Sequence, residues 1–305
     1  MLKIGKIYIF IYLFVLMNTL DKSKNKSEYS FLIITDIHQN NDNLQKIISE
    51  SKGKQYDYVI CTGDAVSVPI DKNDDPPTAI KYTTEFNRII YQLEQIAPVI
   101  WVPGNHEPGN AYGRIMIAYQ LKGTNLHKKV LKLDDNLVLV GLGGSVPILE
   151  GGKYFKGYVP FSTLDYNNFK YAGYPYNVDK DYKKSDELFD KDLAEQISKA
   201  KEYGNEVQMI LLSHLGPSYT STNLLVEDGN IMYLGSNKLG LAFERENFIL
   251  NIHGHTHTGK GLVNLPENKY VVNPGAATLG HYGEVSIKKR DNGKWYVESV
   301  NLKDI

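Results

Sequence analysis

From residue 31 onward the chain alternates short apolar runs with longer stretches of helical period. Phe31 to Thr35 is one such run and predicts a strand. Asn43 to Glu50 follows, with Leu44, Ile47 and Ile48 at i, i+3 and i+4, the stripe of an amphipathic helix. Tyr58 to Thr62 predicts a second strand. Thr78 to Ile96 predicts a second helix, with Phe86, Ile89, Ile90, Leu93 and Ile96 on one side and Pro98 marking its end. Val99 to Val102 predicts a third strand. Strands followed by helices imply crossover connections and a mainly parallel sheet.

The second half changes character. Leu137 to Leu142, Gln208 to Leu212, Phe248 to Ile252 and Tyr270 to Val272 predict further strands, and Ser185 to Tyr203 a helix. Glu284 to Lys288 and Trp295 to Val300 flank Asp291-Asn292-Gly293, the chemistry of a hairpin turn. Between Gly143 and Asp181 little periodicity survives. That stretch is rich in Gly, Pro and Tyr, and its aromatic content argues against disorder. It is expected to be an insertion that folds over a functional site as a partial lid, or else a surface loop packing its tyrosines on the domain.

The amino terminus stands apart. Lys3 and Lys6 precede the apolar run Ile7 to Met17, and Asp21 to Lys26 then turn polar. Residues 1–20 resemble a secretory signal, or a signal-anchor since no small-residue cleavage site follows; a first buried element is the other reading. The expected organisation is therefore 1–20 targeting segment, 21–30 linker and 31–305 catalytic-size domain, with the insertion at about 143–181. The location that follows is the secretory pathway or a membrane, with the cytoplasm as the alternative.

Composition narrows the function classes. Of 305 residues, 23% are charged and 42% hydrophobic, and the net charge is −1, so no global basic field exists to hold a nucleic-acid backbone. The single cysteine, Cys61, lies in the apolar run Tyr58 to Cys61 and is read as a buried small hydrophobe. Disulfide and thiolate chemistry are thereby excluded from the candidate site.

Five apolar runs end in residues of metal-ligand type. Ile33-Ile34-Thr35 leads into Asp36-Ile37-His38, Cys61-Thr62 into Gly63-Asp64, and Trp101-Val102-Pro103 into Gly104-Asn105-His106-Glu107. Leu211-Leu212-Ser213 leads into His214, and Leu250-Asn251-Ile252 into His253-Gly254-His255-Thr256-His257. Ligands of open α/β sheets bind outside the carboxyl ends of strands, so these residues are expected on one rim. In extended backbone, Asp36 and His38, like His255 and His257, fall on the same side of the chain. A lone histidine at a strand end is ordinarily structural. Here six of the eight histidines fall in four such clusters, which independent chance explains poorly. Mixed carboxylate, imidazole and amide donors suit Mn, Fe or Zn.

Taken in order, Asp36-x-His38, Gly63-Asp64, Gly104-Asn105-His106-Glu107, His214 and Gly254-His255-x-His257 resemble the calcineurin-like metallophosphoesterase superfamily, over roughly Phe31 to Val300. The resemblance implies an α/β fold of four layers, two facing mixed β-sheets flanked by helices. It implies that Asp36, His38 and His257 hold a first metal ion, that Asn105, His214 and His255 hold a second, and that Asp64 bridges them. His106 then contacts the substrate phosphate and protonates the leaving oxygen, and a metal-bridging hydroxide attacks phosphorus. His253 receives no ligand role and is read as structural.

One departure is informative. Phosphoprotein phosphatases of the superfamily continue the second block as Gly-Asp-x-x-Asp-Arg-Gly, whereas this chain reads Gly63-Asp64-Ala65-Val66-Ser67-Val68-Pro69. That argues against a protein phosphatase of that branch. Arg88 and Arg114 are candidates to replace the missing arginine, with helix-surface charge as the other reading. The expected activity is hydrolysis of a small to moderate phosphomonoester or phosphodiester. A scaffold with a vestigial site and a nuclease of the same superfamily are the alternatives. The oligomeric state is not legible.

Overall fold

The computed structural model of the chain describes residues 26–67, 76–107, 122–144, 148–150, 153–155, 178–218, 220–227 and 230–305. The targeting segment 1–20, the first half of the expected linker, Arg114 and most of the Tyr-rich insertion lie outside these residues.

Two six-stranded mixed sheets face each other. The first is built from β1 (Glu28–Ile34), β2 (Tyr58–Cys61), β3 (Val99–Trp101), β4 (Thr124–Asn125), β15 (His281–Lys289) and β16 (Trp295–Asp304), in the order β16-β15-β1-β2-β3-β4. The second is built from β5 (Lys129–Asp134), β6 (Leu137–Leu142), β9 (Gln208–Ser213), β12 (Phe248–Ile252), β13 (Gly261–Leu265) and β14 (Lys269–Asn273), in the order β13-β14-β12-β9-β6-β5. The first sheet is parallel from β1 to β4, with β15 and β16 antiparallel at one flank, and the second is parallel from β14 to β6, with β13 and β5 antiparallel at its two edges. Two small hairpins are added, β7 (Ile148–Glu150) with β8 (Lys153–Phe155) and β10 (Leu224–Glu227) with β11 (Asn230–Tyr233). The first of them lies inside the stretch where the sequence shows little periodicity.

Strand alternation builds the layers. In β1, Phe31 and Ile33 face the second sheet, where they join Leu139, Ile210, Leu212, Leu250 and Ile252 in the inter-sheet core. Leu32 and Ile34 point the other way, into the core made with helices α1 (Asn41–Ser51) and α2 (Pro76–Leu93) through Leu44, Ile47, Phe86, Ile89, Ile90 and Leu93. In the second sheet Val138, Val140, Met209 and Leu211 meet α3 (Val178–Lys201) and α4 (Asn237–Arg245) through Phe189, Leu193, Leu239 and Phe243. The result is helix, sheet, sheet, helix: the four-layer sandwich that the motif order implied, and not one parallel sheet.

Caps and turns fix the element ends. Asn40 accepts the N–H of Asn43 at the start of α1, and Ser236 that of Leu239 at the start of α4. The Nζ of Lys269 donates to the carbonyls of Phe243, Glu244 and Glu246, closing the carboxyl end of α4. β1 begins at Glu28, inside the expected linker, because Tyr29 is buried in the inter-sheet core and donates its hydroxyl to Leu133 O. α3 begins at Val178, ahead of the expected Ser185. None of the described helices is long and apolar enough to cross a membrane.

Candidate metal centre

The parallel strands β1, β2 and β3 of one sheet and β9 and β12 of the other deliver their carboxyl ends to one rim, and every residue expected at the site follows one of them. Beyond the strand ends the backbones stay laddered. Asp36, His38 and Gln39 donate their N–H groups to Gly63, Asp64 and Ala65, each at 3.0 Å, and Gly254 donates to His214 O at 3.0 Å. The 3-10 turn Ala277–Leu279 straps the rim from the side, with Ala277 N–H on Thr35 O and Thr278 N–H on Asp36 O.

The local backbone differs from the extended form expected for Asp36-x-His38 and His255-x-His257. Asp36, His38, Asp64 and His255 have φ of 51°, 46°, 52° and 67°, all left-handed. The chain turns sharply at each strand end, so the side chains are aimed by tight turns and not by strand alternation. Gly63 supplies φ of 104° before Asp64. Gly104 is required for another reason: a Cβ there would occupy the place of the Asp64 carboxylate.

Two ligand groups result. Asp36, His38 and His257 each bring one donor atom within 4.8 Å of the others, and so do Asp36, Asp64 and His214. Asn105 Oδ1 lies 2.9 Å from His214 Nε2, and the His255 ring meets the His214 ring edge-on at 5.0 Å. His106 sits at the same rim: its N–H donates to Asp64 Oδ1 at 2.8 Å, and its ring lies 5.3 Å from that of His38. All eight expected site residues are therefore brought to this one rim.

The donor set fits cations. His214 Nδ1 lies 2.8 Å from Thr62 O and must donate to it, which leaves Nε2 as an acceptor facing Asp64 Oδ2 at 3.3 Å and Asn105 Oδ1. Burial opposes charge on His214, yet the Asp64 carboxylate holds its pKa up at about 9, so a proton fills that place when no other cation does. His38 Nε2 and His257 Nε2 face each other at 3.0 Å, and Asp36 Oδ1 is buried without a hydrogen-bond partner. Acceptors converging in this way are what a metal site requires.

Other groups behave as bystanders or supports. His253 is fully buried and spans Gly254 O and Thr222 Oγ1, and burial pushes it down to about 4, a structural histidine. Arg88 pairs with Glu85 on the surface of α2. Cys61 is buried, and burial pushes its thiol up to about 12. Glu107 had no role assigned from sequence. It is 1% exposed and accepts the N–H groups of Asp64, Ala65 and Gly104, stapling the turn after β2 to the turn after β3. Burial, and then the Asp64 charge, push Glu107 up to about 8 despite those donors. Its place at the end of the Gly-Asn-His-Glu run was the available signal.

This fold and rim define a metal-dependent phosphoesterase. The family model for calcineurin-like phosphoesterases matches residues 29–259, and the chain belongs to that family. No curated protein is similar enough in sequence to stand as a relative. Among solved structures, the protein TT1561 of Thermus thermophilus is similar at TM-score 0.53 and 14% identity, over 90% of this chain and 98% of that one. A dimetal phosphatase from Danio rerio is similar at TM-score 0.50 and 13% identity, over 92% and 96%. The NAD nucleotidase NadN of Haemophilus influenzae is similar at TM-score 0.50 and 13% identity, over 92% of this chain and 51% of that one. At such identities these are likenesses of fold.

Proposed function

We propose that the protein is a dinuclear-metal hydrolase of small to moderate phosphate esters, monoester or diester. The observation that carries this reading is the convergence of acceptor atoms in two overlapping groups, Asp36 with His38 and His257, and Asp36 with Asp64 and His214. In this reading Asp36, His38 and His257 would hold one ion, Asn105, His214 and His255 would hold the other, and Asp64 would serve both. Mn, Fe or Zn suits such mixed donors. When bound, the two ions supply positive charge to the phosphoryl oxygens and acidify water enough for it to be the nucleophile near neutral pH.

The chain's own residues do the rest. Asp64 is held by the His106 N–H on one oxygen and faces His214 with the other, so its carboxylate is oriented before substrate arrives. Glu107 fixes the two turns that carry Asp64 and Asn105. His106, partly exposed at the rim, contacts the phosphate and gives a proton to the leaving oxygen. Residues 1–20 direct the chain to the secretory pathway or a membrane.

The test is elemental analysis of the purified full chain, followed by a panel of phosphomonoesters, cyclic nucleotides and other diesters with Mn or Zn added. Two ions per chain and hydrolysis of at least one ester class are expected. A folded chain that takes up no metal and cleaves none of the panel would sink the reading.

A further inference from the structure

His38 enters the cage with one ring nitrogen and is gripped by the other. Its Nδ1 lies 2.5 Å from Ser67 Oγ. Its Nε2 faces His257 Nε2 at 3.0 Å and Asp64 Oδ2 at 3.9 Å. The backbone puts Ser67 there: Gln39 N–H donates to Ala65 O, and Gln39 Oε1 accepts the N–H of Ser67 at 3.3 Å. The turns after β1 and β2 thus hold each other, and that grip delivers one hydroxyl to one imidazole.

We propose that Ser67 is a positioning residue that orients His38 and selects its tautomer for the metal ion at the His38–His257 end of the cage. The inference rests on the dinuclear reading above. A ring nitrogen offers its lone pair to a cation only when the proton sits on the other nitrogen, and a partner that accepts from Nδ1–H selects that form. The serine oxygen does this and also stops the ring from turning away. A methyl group does neither. The phosphoprotein phosphatase pattern carries a carboxylate where this chain has Ser67. A neutral hydroxyl leaves that end of the cage with less negative charge, and it can also donate to Nδ1 when the metal is absent. The other end does not depend on Ser67, because His214 is held by Thr62 O.

The probe is Mn2+ alone, titrated calorimetrically into chelator-treated full chain without substrate. The wild-type chain should take two ions. Ser67→Ala should weaken one of the two by about 10- to 100-fold, the scale for a lost partner of a metal-binding histidine, and leave the other unmoved. Ser67→Thr should restore the weakened ion, and Ser67→Val, which matches Thr in shape but lacks the hydroxyl, should not. Thermal unfolding of each variant separates loss of metal from loss of fold. Equal Mn2+ binding by the Thr and Val variants would overturn the role of Ser67, as would equal weakening of both ions. A wild-type chain that takes fewer than two ions would overturn the dinuclear reading instead.

Discussion

His214 is fully buried and tied through Nδ1 to a backbone carbonyl, whereas His38 and His257 have side chains 15% and 38% exposed. His38 is held by a hydroxyl, and the nearest acid to His257 is Asp36 Oδ1, 3.5 Å away. The inner end of the cage is part of the packing between the sheets. The outer end is assembled from turns and side-chain contacts at the rim. Geometry at the inner end is therefore protected by the whole fold, while geometry at the outer end depends on a few local bonds.

The largest effect tests the residue proposed to serve both ends. Asp64 Oδ2 faces His214 at 3.3 Å and His38 at 3.9 Å. Asp64→Asn should lose both ions and bring hydrolysis down to background, as read by elemental analysis and ester turnover. A variant that keeps two tightly held ions would break the bridge between the halves.

His106→Ala should leave both ions in place and lower turnover by about 10²-fold or more, the scale for a lost acid catalyst. The loss should shrink for esters with good leaving groups. Equal loss across a leaving-group series would reduce His106 to a phosphate contact.

The contrast itself is sharpened by comparing His214→Ala with His257→Ala. Both should weaken metal binding. Only the first should also lower the stability of the metal-free protein, by roughly 1–3 kcal/mol, because it strips the buried Thr62 carbonyl and the Asn105 amide of a partner. Denaturant unfolding in chelator measures the difference, and equal losses would mean that the two ends are equally embedded.

The smallest effect concerns the amino terminus. Removing residues 1–25 should leave Mn2+ uptake and ester hydrolysis unchanged, because every cage residue lies within 36–257. A deletion that loses metal would place part of the support for the site in that segment.

The convergence of these side chains was legible because each cluster follows an apolar run that becomes a parallel strand. Where the strands end, the donors must meet, whatever the details of packing. The left-handed turns at Asp36, His38 and His255 were not legible, since residue type alone does not reveal a positive φ outside glycine. Ser67 was visible only as a departure from a pattern, because its function depends on a contact with His38 that sequence spacing does not encode. The fold was read through its strongly periodic elements. α4 was missed because it is nine residues long and buries only Leu239 and Phe243. β13 was missed because, at the edge of its sheet, it leaves Leu262 44% exposed.

Among the described residues, eight non-glycine positions have positive φ, and five of them, Asp36, His38, Gln39, Asp64 and His255, crowd this rim. Such conformations cost on the order of 1–3 kcal/mol each, least for aspartate. Evolution under selection for stability alone would drift these positions toward glycine or asparagine, and the cage would vanish while the sandwich grew firmer. Gln39 carries no ligand role, yet its Oε1 holds the N–H of Ser67, so glycine there would relieve the positive φ and at the same time release the grip on His38. Its replacement by glycine is where a laboratory lineage selected only for heat resistance should first turn.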